Sequence, residues 1–438
     1  MSLSSLLIQN GRILDPSENR DHPGDLLIEE GKIVAIDSPG KIPSTCAQKR
    51  WNAQGLWITP GLIDVHVHFR EPGFEYKETI ESGSQAAVTG GFTSVACMAN
   101  TQPVNDSAET THFIRTQAQK AGLCRVFPIG AVTQGLQGLK LADLEGMVRA
   151  GARALSDDGM PVMNSQLMRE AMERAKALGV PVISHAEDLH LVNSGVMNEG
   201  AVSRELQLRG NPAAAEEILV AREIALCRLT QAPVHLAHLS TQVALEHLRR
   251  AREAGLPVTA EVCPHHLFLT DEAVRTQNTH FKMAPPLRTE NDVKALRAAL
   301  AENLIQILAT DHAPHSPHEK QVHFSCAPNG ILGLQTAVPL TLRLVHEGSL
   351  PLQRWVESLT SAPARLLGVP LGTLKLGSMA DLTLIDPHHR WQLQESDIVS
   401  KSWNSPFFGW KFEGKVAATL VNGNIVFQSG HIQLEPMR

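Results

Sequence analysis

The chain has 438 residues, 43% hydrophobic and 19% charged, with a formal net charge of −6. That balance argues against a nucleic-acid or other polyanion partner, which would need a basic surface. Six scattered cysteines without a C-x-x-C pair exclude a disulfide framework and a thiolate zinc cluster, and with no signal-like N-terminus and no apolar run near twenty residues they fit a soluble protein of a reducing cytoplasm.

The first sixty residues alternate short apolar runs with turns: LLIQ, NG, RILD, then DLLIEEGKIVAID. Asn-Gly between such runs predicts a hairpin, because both residues tolerate positive φ. The same pattern returns in ADLTLID (380–386) and TLVNGNIVF (419–427). The two ends are therefore expected to fold together as one small β-sandwich domain, built from residues 1–59 and 366–438.

Between about 60 and 365 the pattern changes to apolar runs alternating with Ala/Leu/Glu/Arg-rich helical stretches. Eight runs can be read: 58–69, 92–100, 124–132, 152–158, 180–188, 233–240, 257–264 and 305–314. Helical intervals such as 165–179 and 242–255 separate most of them, which predicts an α/β fold, a (β/α)8 TIM-type barrel over 60–365. A doubly wound sheet would need a Gly-rich turn after its first strand. The only Gly-Gly nearby, at 90–91, precedes a strand and is expected to end a helix.

In GLIDVHVHFREPG (61–73) the alternation of an extended strand places His66, His68 and Arg70 on one face and Val65, Val67 and Phe69 on the other. Barrel enzymes gather their chemistry at the C-terminal ends of strands. Those ends carry His66 and His68, Asn100, Asp157 and Asp158, His185, His238, His265 and His266, and Asp311. A single such histidine or aspartate is most often a hydrogen-bonded or turn-forming residue. Four imidazoles and two carboxylates at one mouth point instead to a metal. Neutral imidazole and carboxylate suit Zn²⁺, with iron, cobalt or manganese as alternatives, in an open catalytic site. Arg70, two residues past the histidine pair, is placed to hold a substrate carboxylate in a bidentate fork.

Together GLIDVHVHFREPG, GGFTSVACMANTQP, SDDG, SHAED, AHLST and ATDHAPH resemble the long, type I dihydroorotases of the amidohydrolase superfamily. The resemblance implies that His66 and His68 bind one metal with Asp311, that His185 and His238 bind a second, and that Asp158 bridges them. Two Zn²⁺ per subunit, bridged by Asp158 and a hydroxide, are implied. Related enzymes use a carbamylated lysine as the bridge, and strand 4 here, ARALSDDG, has no lysine. Arg70 and Asn100 would hold the carboxylate of dihydroorotate, with His315, Asn329 and Gly330 completing the pocket.

The implied reaction is reversible hydrolysis of a cyclic amide to carbamoyl-aspartate, a step of pyrimidine synthesis, with Asp311 carrying the proton. A cytoplasmic homodimer, associating with aspartate transcarbamoylase and with neither nucleic acid nor membrane, is the implied setting. Two positions depart from the family pattern: Ala284 stands where an Asn usually contacts substrate, and Pro328-Asn329-Gly330 lacks an aromatic before the glycine. A hydantoinase- or allantoinase-like amidase and an inactive scaffold subunit are the competing expectations. Arg70 opposes the first, and the complete set of six donors opposes the second.

Overall fold

A computed structural model describes residues 5–430. Eight parallel strands, in sequential order, form the central sheet: Leu62–Val67, Phe92–Cys97, Arg125–Gly130, Ala154–Leu155, Val182–Ser184, Val234–Leu236, Val258–Val262 and Ile307–Leu308. Helices lie between most of them, so each strand buries both faces. The barrel closes between its first and last strands without a regular ladder. A parallel bridge joins Val67 to His312, His68 N–H donates to the His312 carbonyl at 2.8 Å, and the Asp64 carboxylate accepts from the Thr310 N–H at 3.1 Å and hydroxyl at 2.5 Å.

The first strand departs from the simple alternation read in the sequence. Its pairing with the second strand slips between Asp64/Val95 and Val67/Cys97, leaving three steps on one strand against two on the other. Such a bulge inserts one residue and reverses which side chains face inward. Ile63 and Val65 accordingly join the cluster inside the barrel, with Ala96, Ile129 and Ile183. Val67 and Phe69 join the layer between strands and helices. Val65 thus parts company with Val67 and Phe69, and His66 and His68 face the interior only because of the slip. The strand ends at Val67, and Arg70 adopts a left-handed φ of 53°, so its direction is set by a turn and not by strand alternation.

The run beginning at Ile58 also divides. Trp57–Pro60 belongs to a second sheet, formed from both ends of the chain in the order Asn424–Gln428, Lys411–Val421, Leu382–Gln392, Trp57–Pro60, Ser5–Asp15, Arg20–Glu29, Lys32–Asp37, with Lys49–Asn52 also pairing Ser5–Asp15. Gly61 marks the crossing into the barrel. A Cβ there would meet Thr93 Oγ1 at 2.2 Å, too close for any other residue.

The two Asn-Gly pairs behave differently. Asn422-Gly423 is the tight turn between Lys411–Val421 and Asn424–Gln428, with φ of 50° and 73°. Asn10-Gly11 forms no hairpin. It lies inside one continuous strand, Ser5–Asp15, whose register against Arg20–Glu29 shifts between Ile8 and Gly11. Asn10 takes a left-handed φ of 63° and its N–H donates to Asp25 at 2.8 Å. The local chemistry that permits a turn here makes a bulge. Gly90 and Gly91 follow the helix Ile80–Thr89 as expected. No helix among the described residues is long and apolar enough to cross a membrane.

Candidate metal centre

The strand ends bring six of the predicted residues into one buried cluster. Asp158 Oδ1 lies 3.4 Å from His66 Nε2, 3.4 Å from His185 Nδ1 and 3.5 Å from His238 Nε2, and its Oδ2 lies 3.4 Å from His68 Nε2. Asp311 Oδ1 is 3.0 Å from His68 Nε2 and 3.5 Å from His66 Nε2. His238 and Asp311 adopt left-handed φ of 32° and 48°, sharp turns that direct both side chains to the mouth.

Three imidazoles are anchored through their other nitrogen. His66 Nδ1 meets Glu261 at 2.6 Å, His68 Nδ1 meets Asn100 Oδ1 at 2.8 Å, and His185 Nε2 meets Glu187 at 2.9 Å. With the proton on the anchored side, each ring presents a lone pair inward, the arrangement that metal-binding histidines adopt. Those lone pairs face carboxylate oxygens. His66 Nε2, His185 Nδ1 and Asp158 Oδ1 are buried without a hydrogen-bond partner, a costly state unless a cation lies between them. Donors about 2.0–2.1 Å from a tetrahedral zinc sit about 3.3 Å from one another, close to the separations found here. The donor set therefore fits a borderline transition metal. Burial would lower the His185 imidazole, but Asp158 and Glu187 outweigh it and push it up to about 10, so the pocket calls for positive charge.

A layer of polar residues beneath the cluster escaped the sequence reading. Glu261, fully buried, accepts from His66 and, through its other oxygen, from His235 at 2.9 Å. Burial alone would raise its carboxyl; the adjoining His66 and His235 rings, each hydrogen-bonded to it, bring it down to about 2, so it remains ionised. Glu187 is held by Asn211 at 2.6 Å, with Arg288 3.8 Å away. A carboxylate within the otherwise apolar strand VTAEV was the available signal for Glu261. Asp157, in contrast, accepts from the Val132 and Thr133 N–H groups at 2.7 and 3.0 Å; it ties the loop after the third strand to the fourth. His265 and His266 lie on the short helix Pro264–Phe268 and form a separate buried group with Cys263.

A cavity of about 240 Å³ opens above the cluster, lined by Arg70, Asn100, Ala284, His315, Asn329 and Gly330 among others. Arg70, half-buried, donates from Nε to the Pro314 carbonyl at 3.2 Å and forms no ion pair among the described residues, so its charge is available to a ligand. His315 Nε2 donates to the Asn329 carbonyl at 2.8 Å. Asn404, absent from the sequence reading, accepts from His315 N–H at 3.0 Å and donates to the carbonyls of Ala313 and Gly330 at 2.9 and 3.0 Å. Gly330, with φ of 127°, admits no Cβ, which would lie 2.6 Å from that of Ala313.

The loop is tied down from below by Lys320, whose buried ammonium donates to the carbonyls of Pro328 at 2.8 Å and Thr279 at 3.1 Å. Burial, with the nearby Lys282 charge, pushes it down to about 7. Its folded value lies below the unfolded one, so between them the unfolded chain holds a proton that the folded chain lacks. Stability is therefore expected to rise from about pH 7 toward pH 10, by at most roughly 1.4 kcal/mol per pH unit from this group. Lys320→Met should flatten that slope in thermal melts at several pH values; an unchanged slope would remove Lys320 as its source.

Comparisons with known proteins agree with this geometry. A profile of the amidohydrolase family matches residues 57–426. A dihydroorotase of Syntrophotalea carbinolica is 50% identical over 423 residues, covering 97% of this chain and 99% of its own. One from Geobacter sulfurreducens is 50% identical over 426 residues, 97% of this chain and all of its own length (100%). Among solved structures, an L-hydantoinase (dihydropyrimidinase) from Arthrobacter aurescens superimposes with a TM-score of 0.87 at 25% identity, covering 99% of this chain and 98% of that one. A D-hydantoinase from a Thermus species gives 0.81 at 26% identity, covering 98% and 97%.

Proposed function

The chain belongs to the amidohydrolase family and within it to the dihydroorotases, and from that premise we propose how its residues divide the hydrolysis of dihydroorotate to carbamoyl-aspartate. The observation that carries the reading is the set of inward imidazole lone pairs facing buried, unpartnered carboxylate oxygen at 3.4 to 3.5 Å. His66, His68 and Asp311 would hold one Zn²⁺, His185 and His238 a second, and Asp158 both. Bound metal supplies Lewis acidity at a carbonyl oxygen and eases deprotonation of water at neutral pH.

The remaining work falls to the protein's own side chains. Arg70 offers its guanidinium, and Asn100 its amide NH₂, since the Asn100 oxygen is already engaged by His68; both suit a substrate carboxylate. With the carboxylate fixed, the ring amide carbon is presented to the cluster. Asp311 accepts a proton from the attacking water and returns it to the ring nitrogen as the C–N bond breaks. Burial would raise the Asp311 carboxyl, but the surrounding imidazoles outweigh it and hold the group below the usual carboxylate range, so it starts unprotonated, as a base must. His315, Asn329 and Gly330 form the wall over the ring.

The family supports the wider setting we assign: pyrimidine synthesis in the cytoplasm, a homodimer, and association with aspartate transcarbamoylase. The two separate sheets support a division into a barrel at 60–365 and a terminal domain at 1–59 and 366–438, of which residues 1–4 and 431–438 lie outside those described. Light scattering of the protein alone and mixed with aspartate transcarbamoylase tests the assembly.

Glu261 is expected to fix His66 as a ligand. Glu261→Gln should weaken metal retention about 10- to 100-fold, the usual cost of losing such a partner, measured by metal content after dialysis against a graded chelator. Retention equal to the parent would refute this. The activity itself is tested with dihydroorotate, dihydrouracil, hydantoin and allantoin, each with added zinc and with chelator. Turnover of dihydroorotate that disappears with chelator is expected. Ala284 and the hydantoinase structures favour the second reading, a broader cyclic amidase, and preferential turnover of hydantoin would establish it in place of ours.

A further inference from the structure

We propose that a second cavity, at the opposite end of the barrel from the metal centre, binds a nucleoside polyphosphate. This cavity, about 590 Å³, is larger than the one above the metal cluster and is lined by Arg115, Arg125, Arg149 and Arg153 with no acidic residue. Its volume falls within the usual range for small-molecule sites. Four guanidiniums around one hollow run against the sign of a chain whose net charge is −6.

The arginines come from neighbouring elements. Arg125 opens the third barrel strand, Arg153 directly precedes the fourth, Arg115 lies on the helix Ala108–Ala121, and Arg149 on Leu144–Ala150. Two are fixed from behind: Arg125 pairs with Asp381 and Asn422, and Arg115 donates to the Ala150 carbonyl at 2.7 Å. Arg149 and Arg153 make no ion pair or side-chain hydrogen bond among the described residues. Arg149 has only the field of Glu145, one turn back, and Glu145 is itself held by Arg174 at 2.5 Å.

A simpler reading is that the arginines serve helix ends, since Gly122, Gly151 and Gly179, which cap three helices, also line the cavity. A helix C-terminus carries about half a negative charge. Three of them and Asp381 offset about two and a half of the four positive charges, so an excess of more than one remains in the hollow. Guanidinium forks match phosphate oxygens in bidentate fashion. Beside them, Phe127, Val126, Val148 and Leu178 form an apolar wall, against which a flat base would rest. Phosphates on the arginines and a ring on that wall together specify a nucleotide.

The test is calorimetric titration of the full-length, zinc-loaded protein with UTP, ATP and inorganic triphosphate, repeated on the double variant Arg149→Ser/Arg153→Ser. Both positions are exposed and remote from the metal centre, so basal turnover should not change. At least one nucleotide should bind with sub-millimolar affinity and inorganic triphosphate about fivefold or more weaker, and the double variant should lose about 100-fold or more in nucleotide affinity, the scale expected for two charge-assisted hydrogen bonds. No binding at 5 mM, at the scale of the weakest specific complexes, or affinity that survives in the double variant, would overturn the proposal. Equal affinity for inorganic triphosphate and nucleotides would overturn the assignment to a nucleotide.

Discussion

Asp311→Ala is expected to abolish ring hydrolysis, lowering kcat/KM by about 10⁴-fold or more, because one substitution removes both a metal-donor oxygen and the proton carrier. Its carboxylate stands 3.0 Å from His68 Nε2 and 3.5 Å from His66 Nε2. Asp311→Asn separates the two roles. The amide keeps a neutral oxygen donor and the side-chain shape but cannot take up a proton. We expect the Asn variant to retain more metal than the Ala variant while showing comparably little turnover. The fold should survive both changes, since the barrel closes there through Asp64, Thr310 and the backbone of His312. Turnover of Asp311→Asn near the parental rate, with metal bound, would remove Asp311 as the proton carrier.

Arg70→Ala is expected to raise KM for dihydroorotate about 10- to 100-fold, the cost of removing a charge-assisted hydrogen bond from a sheltered site, with a smaller change in kcat. Dihydrouracil, which lacks the carboxylate, is the internal control, and its KM should move little. Arg70→Lys should recover only part of the deficit, since an ammonium cannot reproduce the planar fork. With Ala284 on the cavity wall, no Asn side chain at that position shares the work of recognition. A parallel rise in KM for both substrates would show that Arg70 shapes the cavity and does not read the carboxylate.

The strand ends were legible because a barrel sends whatever lies there to one mouth, whichever strands supply it. His66, His68, Asp158, His185, His238 and Asp311 span nearly 250 positions of sequence, yet topology alone predicts their meeting. What lies beneath them was not legible in the same way. Glu261 reads as one polar residue inside a strand, and its meaning depends on the distance to His66 and His235, which no local pattern records. Asn404 lies in the C-terminal region assigned to the terminal domain and reaches back to the loop at Ala313 and Gly330. Asn10-Gly11 was misread because its positive φ serves bulges as well as turns, and only pairing with Arg20–Glu29 on both sides decides between them.

The slip between Asp64 and Val67 makes the direction of the first strand's histidines a matter of pairing register as well as of sequence. Exchanging Val65 for another branched aliphatic residue leaves the count of residues intact, and both histidines keep their direction. Pairing the same residues in a regular ladder, without the slip, would turn His66 and His68 toward the helices while Val67 and Phe69 entered the mouth. Such a chain would retain its hydrophobic composition and could still close a barrel, but without its first pair of donors. The donors of the first strand are thus selected by its pairing with Phe92–Cys97 as much as by the order of its residues.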